Sequence, residues 1–152
     1  MFITDLTSSG PLRVLEASLR FAAQRQRLIA HNIANLSTPD FRPLDVSVPA
    51  FQRTLREAVE ARRSRTGCEH GPLPLPNNPE VEVCPDGTLR LNPRTPSANI
   101  LFHDRNNRDL ERTMQDLVEN AAAFRVASDL LRSRYQLLNA AVAEREIGRA
   151  HV

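Results

Sequence analysis

The chain has 152 residues and a net charge of +2, and 41% of its residues are hydrophobic while only 5% are aromatic. This length suits one domain, and the shortage of aromatic side chains indicates a modest core. There is no run of 18 uncharged apolar residues, which excludes a transmembrane helix. The balance of 20 basic against 18 acidic residues argues against a nucleic-acid-binding protein, which usually has a basic excess on one face.

The first predicted element is a helix that begins at Pro11 and ends near Asn35. Pro is favoured at the first helical position, and Ser9 and Gly10 before it are suitable caps. Pro39 lies just beyond the predicted end, where it stops the helix. Apolar residues recur within this segment at steps of three and four, so that they share one face of the helix: Leu12, Leu15, Leu19, Ala22, Ile29 and Ile33.

Prolines break the middle of the chain, because seven of the 11 lie between Pro72 and Pro96. Pro fixes φ and removes a backbone donor, so helices are excluded from this stretch. A shorter helix is predicted before it, over residues 49–63. Residues 80–91 alternate apolar and polar side chains around Pro85-Asp86-Gly87, which is typical of a β-hairpin.

The last predicted element is a helix from Asp109 to Ile147, about 58 Å long at 1.5 Å per residue. Its apolar residues alternate steps of four and three for more than four heptads, which is the pattern of a coiled coil. A helix of this length exceeds the diameter of a small globule, so part of the face must pack against another element or another chain. We call this face the seam, and its residues are Leu110, Met114, Leu117, Ala121, Phe124, Ser128, Leu131, Tyr135, Leu138 and Val142.

These elements predict a mainly α fold in which long N- and C-terminal helices pair as a coiled coil. Three parts are expected: an N-terminal helix within residues 1–38, an irregular Pro-rich middle with a short helix and a hairpin over 39–105, and a C-terminal coiled-coil helix within 106–152. The seam is expected to pack on the first helix and to leave surplus apolar faces for adjacent subunits.

A specific motif stands where the first helix ends, since residues 32–42 read N-I-A-N-L-S-T-P-D-F-R. It resembles the N-terminal signature of flagellar rod and hook proteins, in which N-I-A-N is followed by T-x-G and an aromatic residue. Residues 106–111, N-N-R-D-L-E, are similar to the opening of the last helix in the family's small proximal rod subunits. The signature positions of this chain are Asn32, Ile33, Ala34, Asn35, Thr38, Pro39 and Phe41.

The signature residues have predicted structural roles. Asn32, Asn35 and Thr38 are expected to bond backbone groups that are freed where the helix ends. Phe41 is expected to anchor the returning chain. Asp40 stands where the family usually has Gly, which suggests a turn with positive φ, and Asp is among the few residues that tolerate one.

The resemblance implies a structural subunit and not an enzyme. Such proteins are exported by the flagellar type III apparatus without a cleaved signal peptide, and they assemble helically into the rod that crosses the periplasm in the bacterial flagellar basal body. The implied partners are further copies, other rod subunits, and membrane-embedded ring and export gate proteins. No cofactor, nucleic acid or small-molecule substrate is implied. The N-terminus has no apolar stretch after a basic start, so we expect no cleavable signal peptide.

Several alternatives remain open at this point. A soluble helical adaptor or coiled-coil binding module would carry the same heptads. Cys68, His70, Cys84 and His103 lack the C-x2-C or H-x3–5-H spacing of a zinc site, so no metal is expected. The two cysteines would pair in an oxidising periplasm or remain free thiols, and we favour free thiols. No nucleophile elbow, P-loop or dinucleotide fingerprint is present, so no catalytic residue is expected.

Overall fold

The computed structural model describes residues 10–66, 73–84, 88–95 and 110–149, the side chains of residues 66 and 144–149 excepted. Its elements along the chain are α1 (Gly10–Ala34), α2 (Val48–Thr66), β1 (Val81–Val83), β2 (Leu89–Leu91) and α3 (Leu110–Arg149). The predicted fold is confirmed, because long terminal helices pack together and a small antiparallel hairpin lies between them in the chain. The predicted turn at 85–87 lies outside the described residues.

The start of α2 is set by a local cap. Ser47 precedes the helix, and its hydroxyl accepts a hydrogen bond from the backbone N–H of Ala50 at 3.2 Å. Pro49 occupies the first turn, where its missing N–H removes no helical bond. The backbone N–H of Ser47 donates to the carboxylate of Glu80 at 2.7 Å, so the same residue also ties α2 to the start of the hairpin.

The hairpin is held in register by its own ladder and by α2. Val81 lies opposite Leu91, and Val83 lies opposite Leu89. The side-chain amide of Asn78 donates to the Thr54 hydroxyl of α2 at 2.9 Å. The side-chain oxygen of Asn78 accepts from the backbone N–H of Val81 at 2.6 Å, so one asparagine fixes the hairpin against the helix.

The apolar core lies between α1, α2 and the hairpin. The rings of Phe21 and Phe51 stack with centroids 4.0 Å apart and planes 3° from parallel. Gln24 of α1 donates to the backbone carbonyl of Leu89, which brings β2 onto the helix. No residue of α3 belongs to this cluster within the described part of the chain. Its buried members are Ala17, Phe21, Val46, Phe51, Val81 and Leu89.

Helix α3 runs antiparallel to α1. Its first part contacts the C-terminal half of α1, where Asp116 accepts a hydrogen bond from Arg25 at 2.9 Å. Further along, the Tyr135 hydroxyl donates to Glu16 in the N-terminal half of α1 at 3.4 Å. With 40 residues the helix is about 60 Å long. Among the described residues, no helix is long and apolar enough to cross a membrane.

Candidate assembly surface

The outer side of α3 exposes large apolar side chains. In the described part of the chain, every large hydrophobic residue that is exposed belongs to this helix. The exposed fraction reaches 67% at Val118 and 60% at Leu137. We call these residues the outward face: Leu110, Met114, Val118, Phe124, Val126, Leu130, Tyr135, Leu137 and Val142. They lie on more than one side of the helix, because Val126, Leu130 and Leu137 fall about half a turn from Leu110, Phe124 and Tyr135 at about 100° per residue. Exposed apolar surface of this extent is typical of interaction sites.

The deepest points of the inner side of α3 are a small and a polar residue. Among the side chains of α3 that the structure describes, only Asn120 and Ala127 are buried, with 4% and 7% of their surface exposed. Small side chains allow the two helices to approach closely, and Ala22 of α1, whose carbonyl accepts a hydrogen bond from Asn120, is likewise buried. The helix therefore turns its less apolar side towards the rest of the molecule.

The seam predicted from the heptads is divided between the two sides of α3. Leu117, Leu131 and Leu138 are half-buried against the fold. The deepest residues, Asn120 and Ala127, each precede a seam position by one residue, which is about 100° around a helix. The large exposed members of the seam belong to the outward face, and they are Leu110, Met114, Phe124, Tyr135 and Val142.

A buried arginine joins three segments at the inner side. Arg25 of α1 is 5% exposed. Its Nε and Nη2 donate to the two carboxylate oxygens of Asp45 at 2.9 and 2.8 Å, and Nη2 also donates to Asp116 of α3 at 2.9 Å. Bidentate pairing of this kind fixes orientation as well as adding energy. Arg25 thus ties the loop after α1 and the start of α3 to the same point of α1.

The charge of Arg25 is stable in this environment. Burial alone would lower the pKa of the guanidinium, but the hydrogen bonds and negative charges of Asp45 and Asp116 outweigh it, so that the pKa is raised. A raised pKa stabilises the folded state at every pH below the ordinary arginine value, and the contribution is lost only as the pH rises through the folded value. Titration of Arg25 therefore does not weaken its contacts with Asp45 and Asp116 in the physiological pH range.

A second polar contact lies one turn along α3. The side-chain amide of Asn120 donates to the backbone carbonyl of Ala22 at 2.9 Å and to the side-chain oxygen of Gln26 at 2.7 Å. With Arg25 and Asp116 these groups line the contact between the two helices. We call Arg25, Gln26, Asp116 and Asn120 the polar layer.

The signature motif forms the turn that follows α1. Asn32 is 7% exposed, and its amide makes two bonds with the backbone of Leu44, donating to the carbonyl at 2.8 Å and accepting from the N–H at 3.0 Å. The amide of Asn35 donates to the His31 carbonyl at 2.9 Å, and the Thr38 hydroxyl donates to Asn35 at 3.4 Å. Ile33 is half-buried, whereas Ala34, Thr38 and Pro39 are exposed.

The chain reverses its direction at Asp40, and Phe41 closes the turn. Asp40 has a φ of 57°, as its place in the signature predicts. The next residue, Phe41, returns its ring to the end of α1, where it packs edge-on against His31 with centroids 5.6 Å apart. The backbone N–H of Phe41 donates to the Thr38 carbonyl at 3.3 Å. The motif therefore directs the chain back towards α1.

Removal of the Asn32 amide should weaken this turn. Asn32→Ala leaves the N–H and carbonyl of Leu44 without their partner, so we expect a loss of about 1–2 kcal/mol in the free energy of unfolding. Urea denaturation followed by circular dichroism measures it. Asn35→Ala is the matched control and should cost less, because its amide shares the His31 carbonyl with the backbone N–H of Asn35. Equal costs would show that the two bonds to Leu44 do not stabilise the turn.

Comparison with known proteins gives a consistent result. No protein-family model matches the chain. It is 28% identical over 123 residues to the flagellar basal body rod protein FlgB of Yersinia enterocolitica, which covers 76% of this chain and 80% of that protein. It is 27% identical over 131 residues to FlgB of Salmonella typhimurium, with coverage of 81% and 86%. FlgB of Escherichia coli K12 is 25% identical over 120 residues, with coverage of 79% and 83%.

The chain resembles flagellar rod proteins of the FlgB type. The resemblance seen in its signature residues is thus confirmed, and it extends over about four-fifths of the chain. All five curated relatives that match carry the same name.

Sequence reasoning missed the polar layer of this FlgB-like chain. Arg25 bonds residues that lie 20 and 91 positions away, so no local spacing indicates the contact. One signal was present, because Asn120 is a polar residue directly beside the apolar seam. In coiled coils a single buried Asn often fixes register and partner.

The zinc and disulfide alternatives fall mostly outside the described residues. Cys84 is half-buried with a free thiol, whereas Cys68, His70 and His103 are not described. Within the described ranges, no group of three or more His, Cys, Asp or Glu side chains is arranged to hold a metal ion. The free-thiol prediction for the pair therefore stays a prediction.

Proposed function

We propose that the chain is a structural subunit of the rod of a bacterial flagellar basal body, at its proximal end. The observation that carries this proposal is the match to FlgB proteins over about four-fifths of the chain. The role is mechanical and not enzymatic, since the rod acts as a drive shaft. The outward face of α3 supplies the physical means of assembly.

Assembly would bury the side chains that the single chain exposes. Burying apolar area stabilises association by about 25 cal/mol per Å², and nine large side chains exposed along α3 offer an apolar strip on each of two sides of the helix. A head-to-tail contact between such a strip and a different surface of the next copy does not close on itself, so it builds an open helical assembly. A tubular rod is an assembly of this kind.

The finer features of the proposal follow from the flagellar resemblance. The chain would leave the cell body through the type III export apparatus without a cleaved signal peptide, and it would reside in the periplasmic rod. Its partners would be other rod subunits together with membrane-embedded ring and export gate proteins. The seam and signature residues would serve assembly, the former at helix contacts and the latter by setting the turn after α1.

Deletion of the gene tests the proposed function. We expect non-motile cells without rods or filaments, and full recovery when the unaltered chain is supplied from a plasmid. Motility assays and electron microscopy of isolated cell envelopes measure both. Cells that build normal flagella without the chain would overturn the proposal and would favour a helical adaptor with another role.

A further inference from the structure

Hydrophobicity does not explain which side of α3 faces α1. The inner side has Asn120 and Ala127 at its deepest points, with three leucines only half-buried beside them, while nine large apolar side chains of α3 remain exposed. A helix that packed by apolar burial alone would turn the seam inwards, with Ala121 and Ser128 at the centre. The observed rotation leaves much of that apolar area exposed, so another interaction must favour it.

The polar layer is the interaction that distinguishes the observed rotation. Asn120 reaches the Ala22 carbonyl and Gln26 only when it points at α1. Asp116, one turn earlier on the same side, reaches Arg25 in the same orientation. If α3 turned by one residue position, both side chains would leave α1. Arg25 is almost fully buried, so losing one of its two carboxylate partners would leave a buried charge less well compensated.

We propose that Asn120 and Asp116 select the face and register with which α3 docks on α1, and thereby leave most of the large apolar side chains of α3 outside that contact. The selection is a property of the single folded chain and does not depend on a role in the flagellum.

Two alanines on α3 report which side faces inwards. Ala127 is 7% exposed, whereas Ala121 is exposed and lies near the centre of the predicted seam. Cysteines placed singly at these positions, in a chain whose Cys68 and Cys84 are changed to Ser, can be labelled with a maleimide. In the otherwise unaltered chain we expect Ala127→Cys to react at least about tenfold more slowly than Ala121→Cys, because a buried thiol reacts only when the helix opens locally.

The selecting residues are then removed. In the Asn120→Ala, Asp116→Ala background, each lost hydrogen bond should lower the preference for the observed face by about fivefold. The ratio of the two labelling rates should therefore fall below about threefold or invert. Gln115→Ala is the matched control, since it places the same alanine at an exposed position of α3, and it should leave the ratio unchanged.

The readout separates selection from simple loss of structure. Circular dichroism shows whether the variant keeps its helix content. If the double variant unfolds, the single substitution Asn120→Ala repeats the test, since Asn120 makes two of the three hydrogen bonds. An unchanged labelling ratio in a folded variant would overturn the inference, and so would equal labelling of both positions in the unaltered chain. Both measurements use the isolated chain, so their outcome is independent of the deletion phenotype.

Discussion

Leu137→Asp is expected to abolish assembly while leaving the single chain folded. The side chain is 60% exposed, so the charge lies in water in the monomer. In a helix interface the same carboxylate would be buried without a partner, which costs several kcal/mol. We expect the affinity between copies to fall at least about tenfold, which corresponds to about 1.4 kcal/mol. Sedimentation of the purified chain and complementation of the deletion strain measure the loss.

The adjacent residue provides the control for this substitution. Gln136→Asp introduces the same residue into the same turn of α3, with a similar loss of helix propensity, but it removes no large apolar group. We expect the free energy of unfolding of both variants to lie within about 1 kcal/mol of that of the unaltered chain, since substitutions at exposed positions cost little stability. Only cells that carry the Leu137→Asp chain should lose motility. Equal behaviour of the two variants in assembly would show that the outward face is not an interface.

Arg25→Ala is expected to lower the free energy of unfolding more than the other polar substitutions considered above. It leaves Asp45 and Asp116 without the cation that joins them. Removing one partner of a fully buried ion pair costs about 3–5 kcal/mol. The carboxylates here keep 26% and 32% of their side-chain surface in water, so we expect about 2–3 kcal/mol. Urea denaturation of the purified chain measures the change.

Arg27→Ala is the natural control for Arg25→Ala. Arg27 lies two residues further along α1 and is exposed. Its loss should change the free energy of unfolding by no more than about 0.5 kcal/mol. If Arg25→Ala were equally mild, the tie between α1, the following loop and α3 would not hold the fold together.

Local pattern was enough to predict the helices and the hairpin. The first helix was expected from Pro11 to about Asn35, and α1 spans Gly10–Ala34. Caps, proline positions and apolar periodicity act within a few residues, so they can be read from the chain directly. The positive φ of Asp40 was instead expected from the family resemblance, because the family usually has Gly at this position and Asp is among the few other residues that tolerate that conformation.

Local sequence pattern did not predict how α3 is rotated about its own axis. The heptads indicate a seam centred near Ala121 and Ser128, but Asn120 and Ala127 are the residues buried. Periodicity reports where apolar side chains lie on a helix, and not which partner covers them. In this helix apolar residues lie on several sides, so long-range polar contacts with Arg25 and Gln26 distinguish the inner side. No spacing within α3 reveals those partners.

Locating the chain in isolated basal bodies tests the assembly role most directly. Basal bodies purified from motile cells can be examined by quantitative mass spectrometry. We expect the chain to be recovered with the other rod proteins in a constant ratio, and to be absent from envelopes of cells that carry only the Leu137→Asp chain. Basal bodies that are complete but lack the chain would contradict a structural role in the rod.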